Sequence, residues 1–117
     1  MYKLIALDMD GTTFNEEHEI SNEVKDSLFY AISKGVKIAF ISGREEFTVK
    51  EILKKLELDT YYGALNGSLI STTYSEVPKF VKSLEKKYIF DILDIVENNG
   101  FSPIVFLEDL IFTKDSN

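Results

Sequence analysis

The spacing of hydrophobic positions in the first part of the chain predicts a short strand followed by a helix. Residues 4–7 are apolar without alternation, which is typical of a strand covered on both faces. Apolar residues then recur at helical spacing between Val24 and Ile32. Ser21 is the predicted N-cap of this helix, and Gly35 lies where its C-terminus is expected.

The next stretch repeats the alternation of strand and helix. Residues 36–42, VKIAFIS, return to strand character, and a shorter helix is predicted to begin near Glu45. Residues 61–71, YYGALNGSLIS, contain a third short strand interrupted by the turn signal of Asn66 and Gly67. Successive strand–helix–strand units imply right-handed crossovers and a parallel sheet. The predicted fold is therefore α/β, with a Rossmann-like parallel sheet.

The pattern changes after this sheet and predicts a second, α+β unit. Residues 76–84 are predicted to contain a strand, in which a proline favours a sheet edge. Residues 89–96 show helical spacing, and residues 102–114 predict two short strands that meet around residues 108–109. The expected domains are residues 1–74 and residues 75–117.

Composition and charge exclude several classes of function. The formal net charge of −7, with scattered basic residues, argues against nucleic acid as a main partner. The absence of cysteine excludes disulfides, thiolate nucleophiles and zinc–thiolate sites, and it fits a reducing compartment. The one histidine, His18, is interpreted as a solvated loop residue. Because no apolar stretch approaches a signal peptide or a membrane span of ~20 residues, we expect a cytoplasmic protein without membrane contact.

Polar residues cluster directly after each of the three predicted strands. In parallel sheets, ligands bind at the carboxyl ends of the strands, and hydrophobic packing does not require polar residues at all three ends. The sequence therefore predicts a site at this edge. Its candidate residues are Asp8, Asp10, Gly11 and Thr12 after the first strand, Ser42, Gly43 and Arg44 after the second, and Asn66 and Gly67 after the third.

The two aspartates have the spacing of a shared cation site. If the chain stays extended, Asp8 and Asp10 project to the same side and Met9 points away. Two neighbouring carboxylates are costly unless a cation or a shared proton relieves them, and Mg²⁺ prefers such oxygen ligands. Gly11 lets the backbone turn sharply and lets a phosphate approach main-chain N–H groups, and Thr12 adds a hydroxyl donor.

Two simpler interpretations compete with a magnesium site. An Asp-Gly turn can be a solvated loop without further role. A calcium-binding loop would place Ala6 at its first ligand position, where the side chain has no oxygen, and it would follow a helix rather than a strand. The calcium loop is therefore rejected.

Three motifs together resemble a known family. The stretches LDMDGTTFN, FISGR and ALNGSLI resemble the haloacid dehalogenase superfamily of phosphohydrolases, in its Cof-type branch of sugar-phosphate phosphatases. The resemblance covers residues 3–71 well, and residues 76–114 more loosely resemble the beginning of that branch's α+β cap. It implies that the sheet is the first β-α-β-α-β part of the family's core.

The resemblance also implies roles for the acidic pair. Asp8 would attack phosphorus to form an aspartyl-phosphate, and its carboxylate would bind Mg²⁺. Asp10 would protonate the leaving alcohol and then activate water, with its backbone carbonyl on the same metal. The substrate would be a small phosphorylated metabolite, by default a sugar phosphate. Such chemistry depends mainly on positioning and electrostatic stabilisation.

The neighbouring motifs would hold the phosphoryl group. Ser42, with N–H groups near Gly11, Thr12 and Gly43, would bind the phosphoryl oxygens, and Thr12 would also fix Asp10. The resemblance leaves two roles open for Arg44, in the substrate pocket or in a surface salt bridge.

The third strand end is also assigned by resemblance. Asn66, followed by Gly67, would help to bound the substrate pocket. The sequence departs from the family at Thr13, where an aliphatic residue is common.

The family's later motifs have no counterpart in the chain. These are a lysine that neutralises the phosphate and an acidic pair that completes the magnesium shell. We therefore expect this chain to be at best a very poor phosphatase. We also expect it to self-associate through the unpaired edge of its first strand.

Two other functions are alternatives to a phosphatase. One is a non-catalytic phosphate- or partner-binding domain that retains the fold. The other is a receiver domain, in which the phosphorylated aspartate usually ends the third strand. Here the acidic pair ends the first strand, which disfavours the receiver.

Overall fold

A computed structural model describes residues 1–107 and 110–114 of the chain. The chain divides into two compact units, Met1–Val81 and Lys82–Asn117. In the described residues, no helix has the length and apolar character that crossing a membrane requires.

The first unit contains one mixed sheet of five strands. The parallel arrangement predicted for the first three strands is confirmed, since β1 pairs with β2 and β2 with β3 in parallel. The remaining pairs, β3 with β4 and β4 with β5, are antiparallel. The strands, in sheet order, are β1 (Leu4–Asp8), β2 (Lys37–Ile41), β3 (Tyr61–Ala64), β4 (Leu69–Thr72) and β5 (Phe80–Val81).

Residues 61–71 form parts of two strands, where the sequence predicted one interrupted strand. The turn signal closes an antiparallel hairpin between β3 and β4 through a short 3-10 turn, Leu65–Gly67. Asn66 adopts φ of +56° there, a left-handed conformation that asparagine tolerates better than most residues. The chain reverses direction at this point, which makes the sheet mixed.

The two predicted helices of the first unit are confirmed as α1 (Asn22–Ser33) and α2 (Glu46–Lys55). Ser21 caps α1 as predicted, because its side-chain oxygen accepts a hydrogen bond from the N–H of Val24 at 3.3 Å. Gly35 follows α1 with φ of +79°, a conformation that glycine adopts at low cost.

The core lies between α1, α2 and one face of the sheet. In β2 the side chains of Ile38 and Phe40 are buried, whereas Ile41 is exposed. Residues 4–7 were expected to be covered on both faces, and this expectation is wrong, since Leu4 is 51% exposed. The reason is that β1 is the outermost strand of the described sheet and pairs with β2 alone.

The second unit contains α3 (Lys86–Asn98) and an antiparallel pair, β6 (Ile104–Leu107) and β7 (Leu110–Thr113). The predicted helix and strand pair are thus confirmed, while residues 108–109, predicted to join the strands, lie outside the described residues. The strand predicted within residues 76–84 is β5, at the edge of the first unit's sheet. The domain boundary after residue 74 stays a prediction.

Candidate active site

The ends of β1 and β2 place the first two polar clusters at the same edge of the sheet. Asp8, the last residue of β1, is the register partner of Ile41, the last residue of β2. Ser42 follows directly and donates its N–H to the carbonyl oxygen of Gly63 in β3 at 2.9 Å. Parallel pairing therefore brings Asp8 and Ser42 to the carboxyl ends of adjacent strands.

The loop after β1 folds back on Met9 and leaves the two aspartates on the surface. Met9 is 1% exposed, and its carbonyl oxygen accepts from the N–H groups of Thr13 and Phe14 at 3.2 and 2.8 Å. Asp8 and Asp10 on either side are exposed, as their alternation predicts. Burial of Met9 thus fixes the direction of the acidic pair.

Two threonine hydroxyls hold Asp8. Thr12 donates to the Oδ2 atom of Asp8 at 3.0 Å, and Thr13 donates to the carbonyl oxygen of Asp8 at 2.7 Å. The expectation that Thr12 fixes Asp10 is therefore wrong, since its hydroxyl is bonded to Asp8. The departure at Thr13 also has a structural use, because an aliphatic side chain could not donate this bond.

Asp10 is bonded to Arg44, which follows β2. The Nε and Nη2 atoms of Arg44 donate to Oδ2 and Oδ1 of Asp10 at 2.7 and 2.8 Å. These bonds lower the pKa of the Asp10 carboxyl and raise the pKa of Arg44. The salt bridge that Arg44 forms thus belongs to the acidic pair and joins two loops that are 34 residues apart.

His18 also joins this cluster. It is an exposed loop residue, as interpreted from the sequence, with its side chain 53% exposed, but its contacts with Asp10 and Arg44 were not predicted. Its Nδ1 atom lies 3.1 Å from Nη2 of Arg44 and 3.4 Å from Oδ1 of Asp10. Its φ of +61° depends on a tight loop that Asn15 supports. The Asn15 side chain accepts from the N–H groups of Glu17 and Glu19 at 3.0 and 2.9 Å.

Hydrogen bonds hold the backbone of the loop after β2, and the hydroxyl of Ser42 in this loop is available to a ligand. Ser42 is 4% exposed, and its Oγ atom accepts from the N–H of Arg44 at 3.1 Å. The hydroxyl proton remains available for donation to a ligand. Asn66 reaches this loop through its N–H, which donates to the carbonyl oxygen of Ser42 at 3.0 Å. A Cβ atom on Gly43 would lie 3.1 Å from Oδ1 of Asn66, so a larger residue there would require the Asn66 side chain to shift by a few tenths of an ångström.

The predicted phosphate-binding amides differ in availability. The Gly11 N–H donates to the carbonyl oxygen of Phe14 at 3.1 Å and is therefore committed to the turn. Within the part of the chain that the structure describes, the N–H groups of Thr12 and Gly43 have no hydrogen-bond partner. Gly67 adopts φ of +88°, and a Cβ atom added to it would meet nothing within 4 Å. Ser42, Thr12 and Gly43 are thus the available donors.

The residues present supply part of a magnesium shell. Oδ1 of Asp8 and the carbonyl oxygen of Asp10 are oxygen donors of the kind that Mg²⁺ prefers. The Asp10 carboxylate itself is occupied by Arg44. Across residues 1–107 and 110–114, no group of three acidic, histidine or cysteine side chains could hold a metal ion. The donor chemistry fits magnesium, with fewer protein carboxylates than a closed site has.

Comparison with known proteins gives a consistent family. Residues 5–117 match the family of haloacid dehalogenase-like hydrolases. The phosphatase YwpJ of Bacillus subtilis (strain 168) is 32% identical over 114 residues, which cover 97% of this chain and 40% of that protein. The 5-amino-6-(5-phospho-D-ribitylamino)uracil phosphatase YcsE of the same organism is 41% identical over 68 residues, which cover 58% of this chain and 27% of that protein.

A solved structure agrees with this assignment. A haloacid dehalogenase-like hydrolase from B. subtilis is 30% identical, with a TM-score of 0.89 over 98% of this chain and 40% of that chain. This chain thus spans less than half the length of these three relatives. Its strand order, its acidic pair and its sequence lead to one conclusion: the chain belongs to the haloacid dehalogenase-like hydrolases, in their Cof-type branch.

Proposed function

We propose that this protein is a magnesium-dependent phosphatase that acts on small phosphorylated metabolites, with sugar phosphates as the first class to test. The observation that carries the proposal is the contact between the loops after β1 and β2, where Arg44 holds Asp10 beside Asp8. Relatives that are named phosphatases support it.

The first step uses the acidic pair in two different roles. An Asp8 carboxylate oxygen forms a bond to phosphorus, and the bond between phosphorus and the leaving oxygen breaks. Asp10, in the protonated form that the second step restores, gives its proton to that leaving oxygen, which departs as an alcohol. Thr12 and Thr13 hold Asp8 at its side chain and its carbonyl, so the nucleophile is oriented before the substrate arrives.

The second step regenerates the enzyme. Water attacks the phosphorus of the Asp8 acyl-phosphate, and Asp10 accepts a proton from that water. The bond between phosphorus and the Asp8 oxygen breaks, which releases phosphate and restores the Asp8 carboxylate. The Ser42 hydroxyl and the N–H groups of Thr12 and Gly43 donate to the phosphoryl oxygens in both steps. Magnesium, held by Asp8 and the Asp10 carbonyl, would supply positive charge against the phosphoryl oxygens when it is bound.

A second candidate is a phosphate-binding domain without turnover. The favouring observation is that no third metal-ligating side chain joins Asp8 and Asp10 in the described residues. Such a domain would keep the donors of Ser42 and Gly43 and would bind phosphate without forming a bond to Asp8.

Beryllium fluoride distinguishes the two candidates, because it forms an acyl-phosphate mimic only on a reactive carboxylate. We expect ¹⁹F NMR with Mg²⁺ to show a bound species in the wild-type chain, absent from Asp8→Asn and retained in the control Asp26→Asn on α1. A bound species that survives Asp8→Asn, or none in the wild type, would contradict the phosphatase proposal. Phosphate binding without the adduct would favour the second candidate.

A further inference from the structure

Arg44 is anchored at the phosphate-binding loop while its side chain reaches Asp10. Its N–H donates to Oγ of Ser42 at 3.1 Å, and its carbonyl oxygen accepts from the N–H of Leu65 at 2.8 Å. The backbone of Arg44 is therefore fixed between the loops after β2 and β3. The side chain leaves this fixed point and ends on the Asp10 carboxylate.

This contact occupies the group that must act on the leaving oxygen. Both oxygens of the Asp10 carboxylate accept from the guanidinium, at 2.7 and 2.8 Å. Each oxygen keeps a further lone pair, but the adjacent guanidinium favours the ionised carboxylate, so a protonated Asp10 that could donate to a leaving alcohol is disfavoured while this contact lasts. The observed arrangement is thus a resting one for the proposed reaction.

The contact is also inexpensive to break. The side chains of Arg44 and Asp10 are 25% and 45% exposed, so water screens the pair, and its two-bond geometry places it at the upper end of the about 0–1 kcal/mol that exposed ion pairs contribute. A phosphoryl dianion offers the guanidinium the same bidentate geometry with more charge. Ser42, whose hydroxyl is available for such a ligand, lies two residues from Arg44.

We propose that Arg44 exchanges partners: it releases Asp10 and binds the incoming phosphoryl group. Arrival of phosphate thus frees Asp10, the proposed general acid. The inference rests on the proposed function, since it requires phosphate to bind beside Ser42. The backbone of the loop that carries His18 is held by Asn15, whereas the His18 ring contacts both Arg44 and Asp10.

A double-mutant cycle tests the exchange without requiring turnover. Inorganic phosphate is titrated at constant ionic strength and constant Mg²⁺, with ¹H–¹⁵N NMR spectra of the Thr12 and Gly43 amides as the readout. The cycle compares wild type, Asp10→Asn, Arg44→Ala and the double variant. Arg44→Lys tests the fork geometry, because lysine keeps the charge without the second donor. Glu51→Gln and Lys55→Ala, which break an exposed ion pair on α2, are the matched controls.

If Asp10 competes with phosphate for Arg44, Asp10→Asn tightens phosphate binding about twofold to fivefold, and Arg44→Ala weakens it by a similar or larger factor. The gain from Asp10→Asn disappears in the Arg44→Ala background and is reduced with Arg44→Lys. The control variants leave phosphate affinity unchanged.

Three results would overturn the inference. An equal gain from Asp10→Asn with and without Arg44 would mean that Asp10 acts only by its charge, and the proposed phosphatase site would remain. A phosphate affinity that is unchanged in Arg44→Ala would show that Arg44 does not bind phosphate. This result would rule out the exchange and leave the proposed phosphatase site standing. Absence of phosphate binding in every variant would remove the exchange together with the phosphate site, which the beryllium fluoride adduct tests separately.

Discussion

Asp10 is the residue of the site whose chemistry depends most on its neighbours. It accepts two hydrogen bonds from Arg44 and lies 3.4 Å from the Nδ1 atom of His18. Both contacts favour the ionised form of the carboxyl, and Arg44 has the larger effect on its pKa. An acid that must also donate a proton therefore rests in its charged state.

Replacing Arg44 by glutamine is expected to raise the pKa of Asp10 toward its ordinary value of 3.8. Because the pKa is lower in the folded state, the contact stabilises the fold above the unfolded-state pKa of about 3.9 and loses this effect as pH falls through the folded-state pKa. Carboxyl ¹³C NMR titration of Asp10 measures the shift, with Lys55→Gln as the control. An unchanged Asp10 pKa in Arg44→Gln would contradict the assigned cause.

At this scale the sequence predicted the acidic pair and Ser42, because strand ends in a parallel sheet meet at one edge. It did not predict that His18 joins the site. Its position depends on a left-handed turn held by the Asn15 side chain, and no hydrophobic period encodes such a contact. The sequence also predicted the wrong partner for Thr12. Asp8 and Asp10 both lie near this loop, and the spacing of residues does not decide which carboxylate the hydroxyl contacts.

Among the elements, α1 depends on a local signal at its start. The Ser21 hydroxyl is the acceptor for the Val24 N–H, at the long distance of 3.3 Å. We expect Ser21→Ala to lower the free energy of unfolding by about 0.5–1 kcal/mol, at the lower end for an N-cap.

Ser27→Ala is the matched control, because this hydroxyl donates to the Glu23 carbonyl inside the same helix. Alanine there removes a competing bond and favours the helix, so stability should hold or rise slightly. Urea unfolding followed by circular dichroism compares the two variants. Equal losses in both would show that the cap contributes nothing specific.

The strand β1 presents an open edge and exposed apolar side chains. It pairs with β2 alone among the described strands, and Leu4 and Ile5 are 51% and 38% exposed. Unpaired strand edges of this kind favour association. We expect the 117-residue chain to self-associate as its concentration rises, as measured by light scattering.

Leu4→Lys should reduce this association, because lysine on an edge strand opposes pairing with another chain. The comparison variant is Ile95→Lys on α3, whose side chain is 63% exposed in the second unit. A monodisperse wild-type monomer at high concentration would contradict the prediction. If Ile95→Lys but not Leu4→Lys abolished self-association, the contact between chains would lie on α3 and not on β1.

Periodicity predicted the strands and helices because each element carries its own signal in its residues. It failed where the outcome depends on a neighbour. Residues 4–7 have the pattern of a doubly covered strand, yet their exposure is set by what packs against β1. The strand β4 was missed because residues 61–71 were interpreted as one strand interrupted at Asn66, whereas the turn there begins a second, antiparallel strand.

For the whole molecule, the balance of charge around Asp8 limits the expected rate. Attack on a phosphate dianion brings two anions together, so cations must be in place beforehand. Among the described residues, Arg44 and His18 contact the acidic pair, and no third metal-ligating carboxylate joins it. Each missing stabilising group commonly costs about 10²–10³ in rate.

We therefore expect the 117-residue chain to hydrolyse a generic aryl phosphate with Mg²⁺ barely faster than its Asp8→Asn variant. The measurement is release of the phenol over hours at high protein concentration. Rapid turnover that Asp8→Asn abolishes would show that the chain has a complete site, including cations that the described contacts do not reveal.

The most direct test of the account is to find the phosphoryl group on Asp8 itself. The chain is incubated with Mg²⁺ and a dinitrophenyl phosphate, whose leaving group needs no proton, and is then treated with borohydride, which converts an aspartyl-phosphate to homoserine. Peptide mass spectrometry should find homoserine at position 8 in the wild-type chain and not in the absence of phosphate donor. Unmodified Asp8 after prolonged incubation, or homoserine at position 10 instead, would contradict Asp8 as the nucleophile.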